Sequence, residues 1–299
     1  MTAIGKLPPV VRRGEAADGT FSLVITPENA GWGYSSLRIL ELAAGGSATF
    51  STGEDEMCVL PLAGGCVVEC VSAEGTDERF EITGRDGVFT RVTDFAYVPR
   101  DAQVTVTSAG GGRFALPAAR ATRRLAARYG PAEGVQVELR GAGQASRQVN
   151  NFCTPAAFDA DKLMAVEVLT PSSNWSSFPP HKHDEQRDGE SQLEEIYYFE
   201  VDQDGPGFQR VYTSGPGREI DVCAEVRTGD TVLIPHGWHG PSMATPGYHL
   251  YYLNVMAGPS PDRTWLICDD PAHAWVRDTW ADQEIDPRLP LTSTEEPPS

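Results

Sequence analysis

The stretch SFPPHKHDEQRDGESQLEEIYYFEV, residues 177–201, raises the question on which the fold turns. Two histidines sit one residue apart, a polar run follows, and two glutamates head an aromatic segment. In an extended strand successive side chains point to opposite faces, so His181 and His183 share one face and Lys182 takes the other. The same alternation in EIYYF groups Glu195, Tyr197 and Phe199 and leaves Glu194 out of register with them. Residues 184–194 lie between His183 and Glu195. The bland reading is a solvated loop with incidental histidines, since Pro179 and Pro180 precede them and DEQRDGE follows.

A second stretch weighs against that reading. GDTVLIPHGWHG, residues 229–240, is a strand followed by a Pro-Gly turn with His239 at its exit. Three imidazoles and a carboxylate (His181, His183, His239 and Glu195) form a mixed N/O set suited to Zn, Mn, Fe or Ni. Asp184, Glu190 and Glu194 compete for the carboxylate position. Glu195 is preferred because it heads a strand whose alternate residues face a barrel interior. His236 is expected at the rim, His249 as a structural strand residue, and His273 packed on Trp275.

Outward from these stretches, most apolar segments are short and β-rich: FSLVI (21–25), MCVLPL (57–62), AQVTVT (102–107), YHLYYLNVM (248–256). Turn dipeptides separate them, and the 299 residues include 30 Gly and 23 Pro spread along the chain, which reads as an antiparallel sandwich or barrel. PAARATRRLAARYG (117–130), rich in Ala and Arg and ending in Gly, predicts a short linker helix. GEDEMCVLPLAGGCVVEC (53–70) resembles QLEEIYYFEVDQDGPGFQRVY (192–212), and DFAYVPRDAQV (94–104) resembles GDTVLIPHGWHG. The chain therefore divides into a first β domain over 1–140, a second over 141–280, and a polar tail over 281–299 whose end, TSTEEPPS, is expected to be disordered. All six histidines follow residue 180, so the second domain carries any imidazole chemistry.

The formal net charge of −18 argues against nucleic acid and anionic membranes as partners. An anionic small substrate needs a local cationic pocket. No apolar run approaches the roughly 18 residues of a membrane helix. MTAIGKLPPVVRR has no apolar core of a signal peptide, and six cysteines without a CxxC pair read as buried thiols, so a cytoplasmic protein is expected.

HKHD…E followed by GDTVLIPHGWH resembles the two motifs of the cupins. Read in order, PPHKHD, LEEIYYF, GFQRVYT, GDTVLIPHGWH and PGYHLYYLNVMAGP resemble the 5-deoxy-glucuronate isomerase family of myo-inositol catabolism, as do GWGYSSLRILEL and DPAHAW. Two departures from the general cupin pattern stand out. Cupins usually separate the second histidine from the glutamate by only a few residues, and two residues, rather than Trp238 alone, commonly separate the glycine from the last histidine.

The resemblance implies an all-β chain of two tandem cupin domains, each a double-stranded β-helix or jelly roll, with the first lacking metal ligands. It implies one divalent metal ion, Zn or Mn first and Fe or Ni also compatible. It implies an aldose–ketose isomerase that converts 5-deoxy-D-glucuronate to 5-dehydro-2-deoxy-D-gluconate. Such a reaction needs a proton carrier, with Glu194, Glu190, a barrel tyrosine such as Tyr252, or a hydroxide at the metal as candidates. The substrate carboxylate needs a cation, Arg210 first and Lys182 second. Gln209, of opposite strand parity to Arg210, and Tyr252 and Asn254, which share a face, are the remaining substrate contacts. Another metal-dependent cupin enzyme, a related uronate isomerase or a dioxygenase, is the main alternative. A non-catalytic sugar-binding cupin predicts a missing ligand, and all four are present. Cupin sheets often pair edge to edge, which leaves a homo-oligomer open.

Overall fold

Strands dominate because β-branched and aromatic residues alternate between short Gly- and Pro-marked turns. The computed structural model describes residues 6–294. Residues of the first half build a sheet in the order Arg128–Gly130, Phe95–Val98, Asp55–Ser72, Gly112–Arg120, Ser35–Leu42, Phe21–Ile25. The 18-residue strand Asp55–Ser72 bends near Gly64, where its register shifts against both Gly112–Arg120 and Asp77–Arg85. Beyond the bend it pairs with Ala102–Ser108, which also pairs with Gly46–Ser51, and the sheet curls over its own core.

The second half repeats the plan. One sheet runs Val10–Val11, Thr231–Ile234, Glu194–Val201, Leu250–Ala257, Met164–Thr170, Arg147–Cys153, Gln136–Arg140. The facing sheet runs Asp221–Val226, Gly207–Tyr212, Trp238–Ala244, His181–Lys182, Cys268–Asp269, with Trp175–Ser176 on its Trp238–Ala244 strand. The second half thus takes its first strand, Val10–Val11, from the beginning of the chain, and its ladder starts at Gln136, before residue 140.

Strand parity sorts side chains into three cores. Met57, Val59, Phe114 and Leu116 fill the first barrel. Tyr197, Phe199, Val166, Val168, Tyr252 and Ile234 face the second barrel's interior. Residues of opposite parity from both halves (Cys58, Leu60, Leu37 and Ile39 with Ile196, Tyr198, Leu253 and Tyr251) share the third core, which joins the halves face to face.

Polar anchors cross this joint in both directions. The Glu194 carboxylate accepts from the backbone N–H groups of Gly33, Tyr34 and Ser35 at 2.6, 2.8 and 3.0 Å. Reciprocally, Glu56 accepts from the backbone N–H groups of Asp161, Lys162 and Leu163, and from Tyr97 Oη. Arg85 Nη2 meets Glu167 Oε2 at 2.7 Å with both side chains fully buried.

Three expectations need correction. Residues 117–130 form no helix: Gly112–Arg120 is a strand paired with both Ser35–Leu42 and Asp55–Ser72, and Arg128–Gly130 pairs with Phe95–Val98. Helix propensity there yields to two-sided pairing in which Ala115, Ala118 and Ala119 are buried. The tail is bound as far as it is described, because Thr292 exchanges hydrogen bonds with Gln148 and Ser293 O accepts from Val92 N. The end of TSTEEPPS, 295–299, lies outside the described residues. The resemblance of GEDEM (53–57) to QLEEI (192–196), which sets Glu56 opposite Glu195, also shifts by one residue. Met57 pairs with Val98 just before Pro99, and Glu195 pairs with Ile234 just before Pro235. Met57 is therefore the counterpart of Glu195, and Glu56 that of Glu194.

Candidate metal and substrate site

His181 opens a two-residue strand that pairs with His239 across to Trp238–Ala244, so cross-strand register brings their rings to 4.4 Å between centroids. His183 lies 4.7 Å from His239. One nitrogen from each of the three imidazoles lies within 4.8 Å of the others, and all three residues are buried. Glu195, 1 % exposed, rises from the opposite sheet, where its parity partners Tyr197 and Phe199 face the same interior.

Backbone carbonyls set the imidazole tautomers. His183 Nδ1 lies 3.2 Å from Leu193 O, and His239 Nδ1 lies 3.1 Å from Gly237 O. A carbonyl only accepts, so each Nδ1 carries the proton and each Nε2 turns a lone pair inward. Both Nε2 atoms lie 3.1 Å from Glu195 Oε2. That of His239 is off hydrogen-bond alignment and is buried without a partner. An orphaned inward lone pair in a buried N₃O set fits a divalent cation. Burial pushes His181 down, so it stays neutral as a ligand must.

The interval between His183 and Glu195 is a hairpin, Asp184–Arg187 against Glu190–Gln192, turning at Gly189 with φ +78°. Its base is pinned to the other ligand strand. Asp184 Oδ2 accepts from Gly237 N at 2.9 Å and from Ser214 Oγ at 2.7 Å. Gly237 has φ +100°, and a Cβ there would stand 2.7 Å from Tyr212 O, so the turn that aims His239 requires glycine.

A cavity of about 370 Å³ opens beside His181, within the size range of ligand pockets, roughly 300–1,000 Å³. Tyr252 and Asn254 line it. Tyr252 stacks on Tyr197 at 4.8 Å, and its hydroxyl lies 3.0 Å from Ser177 Oγ and also bonds Ser176 Oγ. Asn254 donates from Nδ2 to Glu195 Oε1, fixing the carboxylate from behind.

Five sequence candidates fall elsewhere. Glu194 points into the joint between the halves, where three N–H groups hold it. Lys182 faces away from the imidazoles and binds Asp184, Glu185 and Glu190 at 2.7, 2.9 and 2.7 Å, so its charge is spent. Glu190 is occupied by the same ion-pair group. Arg210 donates to Val211 O and Val222 O and pairs with Asp221, away from the cavity. Gln209 is buried in the barrel wall, bonded to Ser242 Oγ and to Arg210 O. Of the other histidines, His249 Nδ1 accepts from Ser172 N at 3.1 Å, and His273 packs on Phe178, not on Trp275. Sequence reasoning missed Arg140, Arg147 and Arg277, which also line the cavity. Only parity marks Arg147, which shares an inward face with Val149.

The curled antiparallel sheets with a buried histidine cluster define a cupin. Residues 10–276 match the model of the KduI/IolB family, and the chain belongs to that family. A 5-deoxy-glucuronate isomerase of Geobacillus kaustophilus is 42 % identical over 260 residues, 85 % of this chain and 90 % of that one. One of Bacillus subtilis is 39 % identical over 256 residues, 84 % and 91 % of the two chains. The crystal structure of an IolB-like protein from Salmonella typhimurium superposes with TM-score 0.81 at 34 % identity, covering 89 % of this chain and 98 % of that one. Lactobacillus farciminis oxalate decarboxylase, 11 % identical with TM-score 0.62 over 87 % and 88 % of the two chains, shares the fold. Among the described residues no helix is long and apolar enough to cross a membrane.

Proposed function

We infer that the protein is a metal-dependent aldose–ketose isomerase that converts 5-deoxy-D-glucuronate to 5-dehydro-2-deoxy-D-gluconate. The observation that carries this reading is the convergence of His181, His183, His239 and Glu195, with the tautomers of His183 and His239 preset, where His181 borders a cavity sized for a small molecule. The kinship with 5-deoxy-glucuronate isomerases supplies the substrate.

The reaction removes a proton from C2, passes through an enediolate, and returns a proton to C1. A divalent ion on the four ligands supplies a Lewis acid for the carbonyl and the enediolate charge. Zn or Mn suits this N₃O set first. The chain's own groups orient the sugar acid. Burial pushes the Tyr252 hydroxyl up, so at neutral pH it keeps its proton and donates to a substrate oxygen. Asn254 Oδ1 is buried with no partner and is available to accept from a substrate hydroxyl. The enclosing aromatic wall of Tyr197 and Tyr252 keeps water from the enediolate. We place the enzyme in the cytoplasm, with its metal-free first half as scaffold and edge for self-association.

The test is to load the protein with metal, incubate it with 5-deoxy-D-glucuronate without oxygen, and follow ketose formation. Ketose without oxygen uptake is expected. Absence of product overturns the assignment, and oxygen consumption with another substrate points to a dioxygenase.

A further inference from the structure

Three arginines line the cavity, and two are already neutralised. Arg140 forms a fork with Glu138 at 2.9 and 2.8 Å, and Arg277 Nη2 meets Asp269 at 2.6 Å with a second bond from Nε. Arg147 is different. It is 6 % exposed, and its guanidinium makes one hydrogen bond among the described residues, Nη1 to Ala145 O at 3.1 Å. Among the described residues no carboxylate forms an ion pair with it, and the nearby Glu138 is taken by Arg140. A buried charge without a counter-ion is costly unless something offsets it. Burial pushes this guanidinium down to about 10, with Arg140 and Arg277 adding to that.

Its position gives the cost a purpose. Arg147 and Val149 share the inward face of the Arg147–Cys153 strand. Val149 registers with Val168, and Val168 with Tyr252, on the sheet that carries Asn254 and Glu195. One cavity therefore has His181 and Asn254 on its wall together with Arg147, Trp265 and Arg277. A sugar acid with an oxygen pair for the histidine side and a carboxylate for a cation meets both kinds of group in this one cavity.

We propose that Arg147 binds the substrate carboxylate, holding the acid end of the sugar chain while its aldehyde end lies at the histidine cluster. This rests on the isomerase reading for the identity of the acid, and not for the binding of an anion. The planar guanidinium offers a paired, charge-assisted contact to a carboxylate. Loss of such a contact weakens binding by about 100-fold. A neutral chain of the same length leaves the arginine unpaired, so the residue selects uronates over neutral aldoses.

The experiment compares wild-type metal-loaded protein with R147Q and R147K. Calorimetry measures binding of the 2-deoxy-aldonate made by reducing the aldehyde of 5-deoxy-D-glucuronate to an alcohol, which cannot isomerise, and of the matching neutral polyol. The wild type should prefer the acid by about 100-fold, R147Q should bind both alike, and R147K should fall between. Acid preference retained in R147Q, or equal loss of acid and polyol binding in R147K, overturns the proposal. Turnover of 5-deoxy-D-glucuronate is read separately. Without turnover the isomerase reading fails, while the calorimetric preference still decides the role of Arg147. If R147Q does not fold, R147K carries the same comparison.

Discussion

Glu194 and Glu195 are adjacent carboxylates with unrelated work, and the pleat of one strand separates them. Glu195 faces the barrel and the imidazoles. Glu194 faces the other half and satisfies three backbone donors. The two substitutions should therefore fail differently. Replacing His239 or Glu195 with Ala should abolish stoichiometric metal and activity together, read by metal analysis after dialysis, while the fold persists. Glu194→Ala should keep its metal yet lose about 3 kcal/mol of stability, because three N–H groups at the joint lose their acceptor. Urea midpoints of the two variants check this contrast. The convergence of His181, His183 and His239 is legible because HxH and a histidine after a Pro-Gly turn are local patterns, and strand parity separates Glu195 from Glu194. The arginines that line the cavity are not legible. Arg210 sits in a promising motif and Arg147 in an unremarkable one, and what distinguishes them is the presence or absence of an acidic neighbour in space.

At the scale of the element, the hairpin over 184–192 is held by charge, since its side chains offer almost no apolar surface. Lys182, 6 % exposed, neutralises Asp184, Glu185 and Glu190, and Arg218 and Arg187 add to the network. Lys182→Met should cost about 1.5–3 kcal/mol, since Asp184 and Glu190 lose their buried partner and keep only the more exposed Arg218 and Arg187. The thermal midpoint reads this. The hairpin also reaches the metal centre through Asp184 and Gly237. Gly237→Ala should move the turn that aims His239 and weaken metal affinity by about 10–100-fold, measured by competition with a chelator. A polar run gives no alternation to read, which is why this segment passes for a loop in the sequence. The stretch 117–130 shows the converse error. Its alanines favour a helix in isolation, yet small side chains are also what a strand needs where it is paired on both edges and buried on both faces.

Over the whole molecule, the contacts between the two halves predict that they unfold as one cooperative unit. Their shared core takes residues from both sheets, the first strand of the chain completes the second half, and reciprocal glutamates cap each other's backbone. Arg85 and Glu167 join the halves through a fully buried ion pair, with Asn150 Nδ2 donating to Glu167 at 2.7 Å. Burying two charges is expensive, and their attraction repays it only while both are present. Arg85→Met alone, or Glu167→Leu alone, should therefore destabilise the protein by about 3–5 kcal/mol, whereas the double variant should recover most of that loss. Because the pair spans the joint, the single variants also test how the halves are coupled. If the shared core binds them as tightly as its burial implies, calorimetry should show a single transition for the wild type and for each variant, shifted in midpoint and not split. A split transition in Arg85→Met would mean that the ion pair, rather than the apolar core, couples the metal-binding half to its scaffold.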